Sequence, residues 1–204
     1  MKTVPSVFMH LFSNLSRFTS EQTPKVLTFG CGKDLTTEAI NSAYFLFLSN
    51  TIEGINPEIV GYDKDTNAIE HQKRTSNSRI TYTAERPERT FDHVMCISVL
   101  HHGLEEILPD ALDLVKPRGL FCVIDYDCKG IEKENFRKLW TAPQEKRELE
   151  ELGEEECHRM HTALGLRDYI LALEAAGLET LFAEGELISM MGTGNTHLAY
   201  IGRK

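Results

Sequence analysis

Residues 25–40 read KVLTFGCGKDLTTEAI, an apolar, β-prone run that breaks at Gly30, Cys31 and Gly32 and leads into a helical pattern. Strand, glycine turn and helix in that order open a βαβ unit, and the glycines let backbone approach a ligand with no Cβ in the way. The third glycine of a dinucleotide fingerprint is absent, because Asp34 stands where it would fall. The stretch therefore points to a nucleotide-like ligand while weakening the case for a pyrophosphate, whose close approach wants that glycine.

Outward from this stretch, short β-prone runs alternate with helical patterns. Strands are expected at Lys25–Phe29, Glu58–Tyr62, Arg79–Thr83, Asp92–Ile97 and Gly119–Ile124. Between them lie TTEAINSAYFLFLSNTI, DTNAIEHQKRT and GLEEILPDALDLV, each with apolar residues three or four apart. Lys116-Pro117-Arg118-Gly119 reads as the turn into the fifth strand. Such alternation predicts an α/β fold with a doubly wound, mostly parallel sheet covered on both faces. LRDYILALEAAG is an amphipathic helix with Gly177 as its C-cap. The last two strands, near Leu178–Ala183 and Thr196–Gly202, are joined by a link too short for a helical crossover, so they pair antiparallel.

With 204 residues, 41% of them hydrophobic, the chain suits one domain over 1–204. Residues 1–24 form an N-terminal helical segment, where Val7, Phe8, Leu11, Phe12, Leu15 and Phe18 make an apolar stripe. That stripe suits a helix packed on the domain, or a flap closing over a site. Residues 127–160 are an insertion after the fifth strand, placed to cover a substrate. Its acidic run EKRELEELGEEE reads as a solvated helical face. A net charge of −9 disfavours a grip on phosphate backbones, so no nucleic-acid partner is expected. Cys31, Cys96, Cys122, Cys128 and Cys157 include no CxxC pair and read as buried, reduced thiols, with no metal site. No signal peptide and no apolar run of about 20 residues is apparent, so a cytoplasmic protein without a membrane partner is expected.

Ligands of doubly wound sheets sit beyond the carboxyl ends of the strands. Polar residues and glycines gather there in this chain: Gly30 to Gly32 after the first strand, Asp63 after the second, Glu85 after the third, Ser98 to His102 after the fourth, and Asp125, Tyr126 and Asp127 at the fifth. A carboxylate at Asp63 accepts both hydrogen bonds of a ribose diol, and Glu85 accepts from an exocyclic amine of adenine. The imidazoles of His101 and His102 are suited to take a proton near neutral pH. His158 and His161, three apart on a helix, face the same pocket or the surface; for a metal they lack identifiable further ligands.

The segments VLTFGCGKD, EIVGYDKDTNAIE, FDHVMCISVLHHG and LVKPRGLFCVIDYD, with the terminal strand pair, resemble the class I S-adenosylmethionine-dependent methyltransferases over nearly the whole chain, Lys25 to Lys204. The fourth-strand segment is the most specific, with Phe-Asp, an apolar strand, and Leu-His-His. The resemblance implies a seven-stranded sheet, mostly parallel with an antiparallel last strand, and S-adenosyl-L-methionine as cofactor. It implies cofactor contacts from Phe29, Gly30, Cys31, Gly32, Asp63, Lys64, Glu85, Ser98 and Val99, and catalytic roles for His101, His102 and Tyr126. Thr28 stands where the family usually has an acid, and the segment from Gly30 to Asp63 is longer than usual. The loop and its longer segment also look like those of chemotaxis-receptor methyltransferases.

Three functions follow as expectations. The first is methyl transfer to an oxygen or nitrogen of a small-molecule acceptor. The second is a protein methyltransferase, suggested by the chemotaxis-like loop. The third is a catalytically silent cofactor-binding scaffold, suggested by Thr28. Assembly as a homodimer is compatible with all three.

Overall fold

The computed structural model describes residues 7–19, 23–32, 57–75, 80–139, 143–188 and 196–204. Seven strands form one sheet: β1 (Lys25–Phe29), β2 (Glu58–Tyr62), β3 (Ile80–Thr83), β4 (Phe91–Ile97), β5 (Val115–Tyr126), β6 (Glu179–Ile188) and β7 (Thr196–Arg203). Their order is β3-β2-β1-β4-β5-β7-β6. β7 pairs antiparallel with both β5 and β6, and the other pairings are parallel. This is the doubly wound seven-stranded sheet expected from the sequence. The chain builds outward from β1 through β2 to β3, then returns to lay β4 on the other side of β1. The strand order thus reverses between β1 and β4, and a crevice opens above their carboxyl ends.

The described helices are α1 (Val7–Phe18), α2 (Thr66–Thr75), α3 (Leu104–Asp113), α4 (Lys133–Leu139), α5 (Pro143–Leu152), α6 (Glu154–Thr162) and α7 (Leu166–Ala175). The helix expected over TTEAINSAYFLFLSNTI, residues 36–52, lies outside the described residues. Side chains alternate across the sheet. Val26, Ile59, Met95 and Cys122 pack with Leu11, Phe12 and Leu15 of α1 and Ile69 of α2. Leu27, Val60, Val94 and Phe121 pack with Leu108 and Leu112 of α3 and Tyr169 and Leu173 of α7.

Leu11, Phe12 and Leu15 are almost wholly buried. At about 1.5–3 kcal/mol for each such side chain, lifting α1 would expose several kcal/mol of apolar surface. It is a core helix, and the flap reading fails.

β5 differs from expectation at its start. It begins at Val115, and Lys116–Gly119 bulge within it: Phe91 pairs with Val115, but His93 pairs with Leu120. Arg118 takes a positive φ of 64° there, and its N–H donates to the carbonyl of Lys204 at 2.7 Å. The chain end thereby closes the gap that the turn leaves in the ladder. α7 ends as expected. Gly177, at φ 93°, donates to Glu174 O and Leu178 donates to Leu173 O, the two bonds of a Schellman cap.

Candidate functional site

The crevice at the β1/β4 reversal is a cavity of about 680 Å³. Phe29, Gly30, Cys31 and Gly32 from the end of β1 line it, with Asp63 and Lys64 from beyond β2. Gly30 and Gly32 both have positive φ, 68° and 59°. A Cβ on Gly30 would lie 2.4 Å from Val99 Cγ2, so this glycine is required by space as well as by conformation. Gly32 N–H donates to Asp63 Oδ2 at 2.8 Å, and Gln72 Nε2 donates to Gly32 O at 3.1 Å. The loop after β1 is therefore held by a carboxylate on one side and a buried amide on the other. Asp65 caps α2, its Oδ1 accepting from Asn67 N–H. Burial, with the nearby Asp63 charge, pushes the Cys31 thiol up to about 12, so it is an inert wall rather than a nucleophile.

At the tip of β4, Ser98 sits at φ 50° and donates its N–H to Ile124 O at 2.7 Å. This left-handed residue turns Val99 to His102 off the sheet and over the cavity. Ser98, Val99, His101, His102 and Tyr126 all line it. Of the cofactor residues expected from the sequence, only Glu85 is outside the wall; it is exposed beyond β3, where its N–H meets Thr83 Oγ1.

Asp125 organises the far end. It is fully buried at the end of β5, and its Oδ1 lies 2.7 Å from His101 Nδ1. Its Oδ2 accepts from the N–H groups of Leu100 and His101 at 3.0 and 3.2 Å. The His101 ring lies between those of His102 and His161, at 4.1 and 4.2 Å, with Tyr126 edge-on at 5.1 Å. From the insertion, α5 brings Glu148, whose Oε2 is 3.0 Å from His161 Nε2. Burial alone would lower the His101 pKa, but Asp125 outweighs it and raises it to about 9. Burial and the His101 charge push His102 down to about 4. Burial opposes the charge on Glu148 and Asp125, yet the facing histidines hold both carboxyls below the usual range.

Two expectations are corrected here. The acidic run is not solvated throughout: Glu148 has only 19% of its side chain exposed and turns inward. Asp127 does not shape the cavity, since its carboxylate accepts from the N–H groups of Leu166 and Glu186. His158 turns away as well, against Phe136 and the carbonyl of Ile131, whereas His161 joins the cluster through Glu148. The five cysteines are buried and free, as expected.

The sequence reading missed Gln72 and Glu148. Gln72 stands on the buried face of α2 with Ala68 and Ile69, and Glu148 is next to Leu149, which packs against a buried cluster. That spacing was the available signal.

The charge of the wall restricts what the cavity takes. Asp63, Asp65, Glu106, Asp110, Glu148 and Glu151 line it, against two side chains of fixed positive charge, Lys64 and Arg147. Such a wall repels a pyrophosphate and attracts a cation.

Comparison with known proteins agrees with this geometry. The N-methyltransferase NodS from Bradyrhizobium japonicum WM9 is 14% identical, with a TM-score of 0.56 over 97% of this chain and 96% of its own. The plantazolicin methyltransferase BpumL, solved with SAH, is 12% identical at a TM-score of 0.60 over 98% of this chain and 82% of its own. The 1,6-didemethyltoxoflavin-N1-methyltransferase of Burkholderia thailandensis is 15% identical at a TM-score of 0.56, over 97% and 76%. At these identities the likeness is one of fold. No curated protein matches the sequence. The family described as a methyltransferase domain matches residues 5–181, and this chain belongs to it.

Proposed function

We propose that this protein transfers a methyl group from S-adenosylmethionine to an oxygen or nitrogen of a small molecule. The observation that carries this reading is one cavity joining the glycine loop and Asp63 at one end to His101, His102 and Tyr126 at the other. The wall fits the cofactor. The carboxylate-rich lining suits a sulfonium cation, and the glycine loop brings bare backbone to the cavity wall. When bound, the cofactor supplies an electrophilic methyl carbon.

The backbone at Phe29, Gly30, Cys31 and Gly32 lines the methionine portion, and Asp63 accepts from the ribose hydroxyls with Lys64 beside it. Ser98 and Val99 form the opposite wall. His101, His102 and Tyr126 touch the acceptor, orient its heteroatom in line, and surround the point where its proton leaves. α5 covers this end through Arg147, Glu148 and Leu152, so the insertion sets acceptor shape. An acidic cavity favours a small acceptor over nucleic acid.

Purified protein should be incubated with methyl-labelled S-adenosylmethionine and either a metabolite extract or a protein extract. Label in a small-molecule fraction is the expected result. Label only in protein would contradict the acceptor class, and no label despite intact cofactor binding would leave a silent scaffold.

A further inference from the structure

The acceptor end carries more donor atoms than its hydrogen bonds use. His101 Nε2 is buried and has no hydrogen-bond partner among the described residues. It lies 3.9 Å from Glu148 Oε1, and His102 Nε2 lies 3.8 Å from the same oxygen. Neither distance is a direct hydrogen bond. Yet ligand atoms from these three residues lie within 4.8 Å of one another, and all three residues line the cavity.

Around a first-row ion with bonds of about 2.0–2.2 Å, neighbouring ligand atoms are about 2.9 Å apart in octahedral and about 3.4 Å apart in tetrahedral geometry. The two spacings to Glu148 Oε1 exceed the tetrahedral value by about half an ångström, and the ligand atoms of the two histidines lie within 4.8 Å of each other. Rotamer adjustment draws the three atoms toward one ion.

The far side of two of the ligands is already held. Asp125 Oδ1 lies 2.7 Å from His101 Nδ1, which leaves Nε2 as the atom facing the cavity. His161 Nε2 lies 3.0 Å from the other oxygen of Glu148. Carboxylate-backed imidazoles are the usual support of metal ligands, and His161 stands as a charge partner beside the Glu148 carboxylate. Glu148 also joins a second donor group with Cys157 and His161, but both of these are buried at 0–1% exposure and neither lines the cavity. The first group is the one that an acceptor reaches.

We propose that His101 Nε2, His102 Nε2 and the Glu148 carboxylate bind one divalent first-row transition-metal ion, with its remaining positions open to the acceptor. Two imidazoles and a carboxylate suit zinc or iron(II) rather than magnesium or calcium. On the methyltransferase reading above, the acceptor is then a hydroxyl-bearing molecule whose oxygen ligates the ion and becomes more acidic. Its proton passes to solvent and the oxygen lone pair forms the new C–O bond. The C–S bond breaks to leave S-adenosylhomocysteine, and the ion ends unchanged.

The test uses full-length protein without a histidine tag, stripped by chelator and titrated with zinc chloride by calorimetry. Metal content is then measured by mass spectrometry after gel filtration. The expected result is about one zinc per chain, with Glu148→Gln and His102→Ala each weakening binding about 100-fold or more. His102 has 44% of its side chain exposed, so His102→Ala tests the site even where Glu148→Gln does not fold. Zinc binding equal in wild type and His102→Ala, or no binding to wild type, overturns the proposal. S-adenosylhomocysteine is titrated into the same metal-free wild type. Its binding without any zinc uptake sinks the metal site alone, while zinc uptake without its binding sinks the methyltransferase reading.

Discussion

Asp125 Oδ1 stands 2.7 Å from His101 Nδ1, and the same carboxylate accepts the backbone N–H of His101, so one buried acid fixes both the ring and the chain that carries it. The Nε2 edge of His101 is thereby aimed at the cavity. His101→Ala should lower turnover by about 100-fold, because it removes a ring that positions the acceptor, with S-adenosylhomocysteine affinity within about twofold. Label transfer into the acceptor fraction, beside calorimetry, measures both. A near-normal rate would remove His101 from the reaction.

Gly30→Ala should damage fold and site together. The new Cβ meets Val99 Cγ2 at 2.4 Å, and the residue must hold a φ of 68°. The backbone term alone is about 1–2 kcal/mol, a loss of about 2–8 °C in melting temperature for a chain of this size. Adding Val99→Ala should recover part of the loss, because it removes the clashing methyl. A single variant melting with wild type would show that the loop relaxes freely.

Asp92 gives a pH dependence remote from the cavity. Burial would raise its pKa, but Lys116 Nζ at 2.6 Å and the Lys25 N–H at 2.8 Å hold it below the ordinary value. A depressed folded pKa means that its contribution is complete above the unfolded value of about 3.9. That contribution is lost as pH falls through the folded pKa. Asp92→Asn should cost about 1–3 kcal/mol at neutral pH and flatten the acid loss. Urea melts of both proteins at pH 7 and near pH 3 check this; equal stability at pH 7 would contradict it.

Much of this molecule was legible in its sequence, for physical reasons that differ by element. β1 to β4 are short apolar runs closed by glycine or polar residues, so their positions and the strand-end cavity followed directly. FDHVMCISVLHHG puts His101 and His102 just beyond β4, where both line the cavity, because a strand end fixes where its next residues emerge. The bulge at Lys116–Gly119 was hidden, since it depends on the distant carbonyl of Lys204. Glu148 was hidden for a related reason. In composition it is one acid among many in EKRELEELGEEE, and only its three-dimensional neighbours His101, His102 and His161 set it apart. Glu85 was read into the site from its place after β3, but the chain there turns to solvent.

Calorimetric titration of wild type and Asp63→Ala with S-adenosylhomocysteine is the most direct measurement. Wild type should bind one equivalent at micromolar level, about −7 to −8 kcal/mol. Asp63→Ala should bind about ten- to a hundredfold more weakly, because charge-assisted hydrogen bonds of this kind contribute about 1.5–3 kcal/mol. Binding of NAD with no response to S-adenosylhomocysteine or S-adenosylmethionine would contradict the methyltransferase reading outright.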